Sequence, residues 1–278
     1  MSTFARLFRR FCLCLALLFQ YGCEQFEYSP YQTKHPASEL RDLNASNRAK
    51  LQASSPRDTI VLVISGDQQR FYDEVDDMVT DINRLEQVDA VFLVGDLTDF
   101  GLIREFGWLN ESLLRLKCPF FGVIGNHDCV ANGTEIFERT YGPLNEYFDW
   151  AGIRLVLHNT NSREFSFNGR VPDLGWLRNA VADTAAYEAC IFLSHVEPFN
   201  AIDFDPSLEA GYVQLLDDAR VTLFSAHGHD HIAHTGSPYG DGLTFFNAGS
   251  PAYRSYTLAK IYKRADGSLD HILSVRPF

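Results

Sequence analysis

The sequence is poor in cysteine, in long apolar runs and in positive charge, and each shortage removes a class of protein. Of its six cysteines, three lie at or before position 23; the others, Cys118, Cys129 and Cys190, form no CxxC pair. That spacing argues against a disulfide framework or a zinc knuckle, so all three are read as structural, with a Cys118–Cys129 bridge left open. The apolar run FCLCLALLF, residues 11–19, is about half the ~20 residues that a spanning helix needs. Lys and Arg number 24 against 36 Asp and Glu, a formal net charge of −12. An acidic surface repels a phosphate backbone, so no duplex nucleic acid is expected as a partner. No GxSxG stands at a strand-to-helix turn, which leaves a serine-nucleophile hydrolase without support, and Ser194 is read as a neighbour of His195. No internal repeat or low-complexity block is present.

What remains is a chain of 278 residues, 46% hydrophobic, long enough to bury a sizeable core. Its first 22 residues differ from the rest. Arg6, Arg9 and Arg10 precede the apolar run, and no acidic residue occurs before Glu24, the pattern of an export signal. Gly22-Cys23 resembles the cleavage site of bacterial lipoproteins, although Gln20 and Tyr21 depart from that pattern. The resemblance implies a chain lipidated at Cys23 and anchored to a membrane of the bacterial cell envelope; a secreted or periplasmic protein is the alternative. Residues 23–57 are polar and lack periodicity, as in a tether, with FEYSPY at its start able to pack on the domain. The domain proper is expected over residues 58–278.

From Thr59 onward short apolar, β-branched runs recur: TIVLVIS, AVFLVG, FFGVIG, IRLVLHN, ACIFLSH, VTLFSAH and LTFFNAG. Runs this short and this continuous predict strands buried on both faces. Helical spacing over Phe71–Leu85 and Arg104–Leu116 separates the first three, which predicts an α/β sheet whose sites collect at the C-terminal strand ends. The residues just after those runs are polar and metal-seeking: GDQQ at 66–69, GDLTD at 95–99, GNHD at 125–128, His195, and GHDH at 228–231. Each motif alone is weak, since Gly-Asp is a common turn pair. Five in succession, each closing an apolar run, form one ligand set delivered to one edge.

In order and placement these motifs resemble the calcineurin-like metallophosphoesterases, whose pattern is DxH, GDxxD, GNH(D/E), a lone His, then GHxH. The resemblance spans Thr59 to about Ser250. It implies an α/β metallophosphoesterase fold, a central β-sandwich flanked by helices, with a dinuclear metal site at the C-terminal strand edge. It also implies two divalent ions, with Mn, Fe or Zn favoured over Ca or Mg by mixed oxygen and imidazole ligands. Carried over residue by residue, Asp67, Gln69, Asp96 and His231 would hold one ion, and Asp96, Asn126, His195 and His229 the other, with Asp96 bridging. The pair would activate water to attack phosphorus in line with the leaving alkoxide. His127 would protonate or stabilise the leaving oxygen, with Asp99 orienting it through a carboxylate–imidazole hydrogen bond.

In an extended segment, positions 229 and 231 share a side, which would let both rings face the metals. His227 falls outside the motif and is assigned packing or hydrogen bonding beside the ligands, as is His234. Asp128 is read as a loop-bonding residue, and Asn247 as shaping the pocket or closing a turn. Arg70 and Arg254 are either phosphate-gripping groups or ordinary surface charges.

The chain departs from the family pattern at Gln69, where the first motif normally ends in His. A neutral amide oxygen is a weaker donor to late transition metals, so Gln69 would bind through oxygen and favour harder ions, bond a metal-bound water, or leave the first site partly filled. The expected function is metal-dependent hydrolysis of a small phosphoester, phosphodiester favoured. The alternative is a weak or inactive binding module on the same fold.

Overall fold

The computed structural model describes Ser29, Gln32, Thr33 and residues 40–278. The expected export signal, Cys23 and the first part of the tether lie outside the described residues. Among the described residues no helix is long and apolar enough to cross a membrane.

Seven strands coincide with the seven apolar runs: β1 (Thr59–Ser65), β2 (Ala90–Val94), β3 (Phe120–Val123), β5 (Ile153–Leu157), β6 (Ala189–Leu193), β7 (Thr222–His227) and β9 (Phe245–Asn247). Four more, β4 (Glu146–Trp150), β8 (His234–Gly236), β10 (Ser255–Lys263) and β11 (Leu269–Pro277), complete two sheets. One sheet runs β11-β10-β1-β2-β3 and the other β4-β5-β6-β7-β9-β8. The parallel pairings β1·β2, β2·β3, β5·β6, β6·β7 and β7·β9 direct the C-terminal ends of these strands the same way within each sheet.

The continuous apolar character of the runs follows from their position in the middle of a four-layer stack. Along β1, Ile60, Leu62 and Ile64 meet Phe92, Phe121, Leu155, Ile191 and Phe224 between the sheets. Val63 points the other way, to a second core with Val75, Met78, Phe106, Leu109 and Phe137. These come from α2 (Tyr72–Ile82), α3 (Ile103–Leu113) and α4 (Gly133–Thr140). The outer face of the other sheet, with Val156, Cys190 and Phe192, packs on Leu177, Tyr212 and Leu215, carried by α5 (Leu174–Val181) and α6 (Pro206–Asp218). Asp173 and Asp205 cap these two helices by accepting hydrogen bonds from Trp176 N at 2.9 Å and Ser207 N at 3.0 Å. The result is a β-sandwich between helical layers. All three described cysteines are free.

The second half of the expected tether is a correction. Leu43–Gln52 form a helix, α1, that is part of the domain. Its stretch shows little apolar periodicity because the contact that docks it is polar. The β3 edge would expose unpaired backbone groups. Asn44 supplies what a neighbouring strand would: Oδ1 accepts from Gly122 N at 2.9 Å, and Nδ2 donates to Gly122 O at 2.9 Å and to Glu146 Oε1 at 2.7 Å. Leu43 and Leu51 bury beside it.

Replacing Asn44 by Ala leaves both backbone groups of Gly122 and the Glu146 carboxylate short of a partner in a buried site. A loss of about 1–3 kcal/mol is expected, read as a lower urea midpoint with unchanged slope. An unchanged midpoint would show that α1 does not seal this edge.

Candidate metal centre

Every metal ligand expected from the motifs lies in a loop that leaves a strand at its C-terminal end: Asp67 and Gln69 after β1, Asp96 after β2, Asn126 after β3, His195 after β6, His229 and His231 after β7. The glycines in the motifs let these loops touch. A Cβ on Gly125 would lie 1.9 Å from Asp96 N, and one on Gly95, at φ +87°, would lie 2.3 Å from His195 Nδ1. Asp67, Asp96, His229 and His231 themselves adopt positive φ, at 60°, 55°, 76° and 63°. Left-handed backbone at four non-glycine residues of one cluster is the kind of strain that functional sites store.

The angles at 229 and 231 correct the expectation of an extended segment. The strand ends at His227, and the two rings are aimed by left-handed backbone, not by strand alternation. His227, still in β7, points into the core, where its ring nitrogens meet Ser194 Oγ at 3.0 Å and Ser225 Oγ at 2.9 Å. It takes no place in the ligand cluster.

The ligand atoms converge. Asp67, Asp96 and His195 offer donor atoms that all lie within 4.8 Å of one another. His195 Nε2 is 3.2 Å from Asp96 Oδ1 and 3.0 Å from Asn126 Oδ1. His229 Nδ1 is also 3.0 Å from Asn126 Oδ1, and His231 Nε2 is 3.7 Å from Asp67 Oδ1. Each of the two inner histidines is oriented from behind. His195 Nδ1 donates to Val94 O at 2.8 Å, and His229 Nε2 donates to Asp203 Oδ2 at 3.0 Å. With those protons fixed, neutral rings turn His195 Nε2 and His229 Nδ1 as bare lone pairs toward Asn126 Oδ1.

Such lone pairs repel an acceptor oxygen unless a cation, a metal ion or a proton, stands between them. Two further observations point the same way: Asp67 Oδ2 and Gln69 Oε1 are buried and have no hydrogen-bond partner. Asp128 provides the contrast. It is as buried as Asp67, yet its carboxylate accepts from Leu97 N, Thr98 N, Thr98 Oγ1 and Gly125 N at 2.7–3.1 Å. Asp128 therefore splices two loops together, whereas Asp67 and Gln69 hold oxygen in reserve. The residues fit a dinuclear divalent centre, with Gln69 bringing an amide oxygen in place of imidazole.

His127 lies at the mouth. Its Nδ1 is 2.9 Å from the main-chain carbonyl of Asp99, and its backbone N donates to Asp96 Oδ1 at 2.9 Å. The expected carboxylate–imidazole bond from Asp99 is thus corrected: Asp99 holds His127 through its carbonyl. Its carboxylate is engaged elsewhere, accepting from Arg70 N at 3.1 Å, Arg70 Nε at 2.8 Å and Tyr72 OH at 3.3 Å. Arg70, Gln69, His127 and His231 line a cleft of about 540 Å³ together with Phe71, Ala252 and Tyr253. Arg254 is turned away, bound to Asp77 at 2.8 Å and laid over the Phe278 ring. Asn247 donates through Nδ2 to Glu197 Oε1 at 2.9 Å and to Gly228 O, bracing the loop that carries His229. Asp203 escaped sequence reasoning altogether. It stands in FNAIDFDP, a loop without periodicity, where nothing but the fold brings it to His229.

Protons occupy this cluster when no metal does. Burial pushes the Asp67 carboxyl up; His195 pulls it back and Asp96 pushes it up again. Burial disfavours charge on His195, but Asp96, then Asp67, reverse this and raise its pKa above the ordinary imidazole value. A metal must displace those protons, so affinity falls as pH falls. Calorimetric Mn titrations in buffers of differing ionisation enthalpy should show net proton release and about a tenfold weaker affinity per pH unit for each proton released. Affinity independent of pH between 6 and 8, without proton release, would contradict this.

A probable cyclic nucleotide phosphodiesterase of Coxiella burnetii is 25% identical over 167 residues, which cover 54% of this chain and 62% of that protein. The chain thus spans less than two thirds of that relative's length. In fold, a dimetal phosphatase from Danio rerio superposes with a TM-score of 0.57 at 16% identity, over 77% of this chain and 98% of the other. A purple acid phosphatase from yellow lupin, Lupinus luteus, gives 0.58 at 14% identity, over 80% of this chain and 55% of the other. The family model for calcineurin-like phosphoesterases matches residues 60–233, from β1 through the last two histidines of the ligand set. The chain belongs to the calcineurin-like phosphoesterase family, whose members hold a dinuclear divalent metal site of the kind these residues fit.

Proposed function

We propose that the chain hydrolyses small phosphate esters, phosphodiesters in preference to monoesters, with two divalent ions held by Asp67, Gln69, Asp96, Asn126, His195, His229 and His231. The observation that carries this reading is the set of buried, cation-seeking oxygen and nitrogen atoms directly beside the cleft lined by His127 and Arg70. When bound, the ions supply Lewis-acid activation of water and of the phosphoryl oxygens. The chain's own groups do the rest. Asp99 fixes Arg70 by its backbone and its Nε, leaving the terminal guanidinium N–H groups for phosphoryl oxygens. The same residue's carbonyl accepts from His127 Nδ1, which turns Nε2 toward the leaving oxygen, and the doubly protonated ring delivers the Nε2 proton to it.

Preference for diesters is supported by the cleft wall, where Phe71 and Tyr253 offer apolar surface to a second ester substituent. The relative from Coxiella burnetii, described as a probable cyclic nucleotide phosphodiesterase, agrees with it. Oxygen from Gln69 favours Mn over Zn at the first site, since an amide is a harder donor than imidazole. The basic-then-apolar N-terminus and Gly22-Cys23 support placing the activity outside the cytoplasm, on a lipid anchor at Cys23.

With Mn, bis(p-nitrophenyl) phosphate should be hydrolysed faster than p-nitrophenyl phosphate. His127→Ala should lower kcat by roughly 10²–10⁴-fold with metal content unchanged, and Gln69→His should shift metal preference toward Zn. Absence of turnover on both substrates in Mn-loaded protein, or activity indifferent to Asp96→Asn, would overturn the proposal.

A further inference from the structure

Beside the dinuclear cluster stands a second group of metal-seeking side chains that the proposed hydrolysis does not use. One carboxylate oxygen each from Glu197 and Asp230 and one ring nitrogen of His234 all lie within 4.8 Å of one another. Glu197 is 1% exposed, and its Oε2 has no hydrogen-bond partner. Oδ1 of Asn247 is likewise buried without a partner, while the Nδ2 of the same amide is committed to Glu197 Oε1 and Gly228 O. His234 Nδ1 donates to Ile232 O at 3.2 Å, which turns Nε2, bare in the neutral ring, toward Glu197 Oε1 at 3.9 Å.

We propose that Glu197, Asp230 and His234 hold a third divalent cation, of the Mn or Zn class, separate from the pair that Asp67, Asp96 and His195 would help to hold. Two carboxylates and one imidazole form the mixed oxygen and nitrogen set that such ions take. An unpartnered carboxylate oxygen inside the protein costs free energy that a cation offsets. The 3.9 Å between His234 and Glu197 is too long for a hydrogen bond, and leaves room for an ion between them. Asp230 and His234 face solvent, so the ion exchanges more readily than the buried pair.

The placement gives the ion a task. Asp230 stands between His229 and His231, both in left-handed backbone, and Glu197 stands two residues after His195. A cation joining Glu197, Asp230 and His234 would tie the loop bearing two ligands to the turn bearing a third. It would hold that strained loop in the geometry the dinuclear site needs, whatever substrate the site takes.

The test is the number of Mn ions bound at saturation by the full chain, stripped of metal and measured by equilibrium dialysis with elemental analysis. His234→Ala, at an exposed position, should bind one equivalent fewer than the unaltered chain while melting at the same temperature in chelator. Glu197→Gln should do the same. The missing equivalent should also be seen when His234→Ala is placed in an Asp96→Asn background, which separates this site from any failure of the dinuclear one. If His234→Ala leaves the stoichiometry unchanged in both backgrounds, the proposal falls, and the cluster is an ion pair between protonated His234 and Glu197.

Discussion

The site depends on one electrostatic constraint: two carboxylates, Asp67 and Asp96, are buried almost completely and lie within 4.8 Å of each other. At that separation two unit charges repel by about 3.5 kcal/mol at an effective dielectric of 20, before desolvation is counted. Protons on Asp67 and His195 relieve the repulsion in the metal-free protein, and divalent ions held there would relieve it more fully. The remaining features of the site serve this arrangement. Val94 O and Asp203 fix which histidine nitrogens face inward, glycines let the loops close to contact distance, and Asp128 binds the β2 and β3 loops through four donors.

That cluster could be assembled only where strand ends from both halves of the chain meet. The parallel pairings align the C-terminal ends of β1, β2 and β3 in one sheet and of β6 and β7 in the other. The core between the sheets then brings the two sets of loops to one edge. A strand buried on both faces is apolar along most of its length, so the architecture that builds the site also wrote seven short apolar runs into the sequence, five of them closed by a polar motif. This is why the strands and the polar motifs that close them were legible from residue order, whereas the two-sheet arrangement was an implication of the family resemblance those motifs carry.

The parts that were not legible share a different physics. In β10, SYTLAKIYK mixes buried Tyr256 and Ile261 with exposed Lys260, and β11 is mostly half-exposed, so neither presents a pure run. Helix α1 docks through the amide of Asn44, a polar contact with no periodicity to betray it. Asp203 supports His229 from a loop 26 positions away, and Asp99 uses its carbonyl where its carboxylate was the natural expectation, because Arg70 claims the latter. Left-handed backbone at His229 and His231 has no sequence signature in histidine. Long-range polar contacts and loop conformation thus carry the details, while burial carries the frame.

The most direct test of this account is a crystal structure of the full chain grown with Mn, with anomalous data collected at the Mn edge. Two strong peaks should flank the Asp96 carboxylate, one within coordinating reach of Asp67 and the Gln69 amide oxygen, the other of Asn126, His195 and His229. A map with no anomalous density among these side chains, in crystals whose bound Mn is accounted for elsewhere, would show that the buried carboxylates are neutralised by protons alone and would contradict the account.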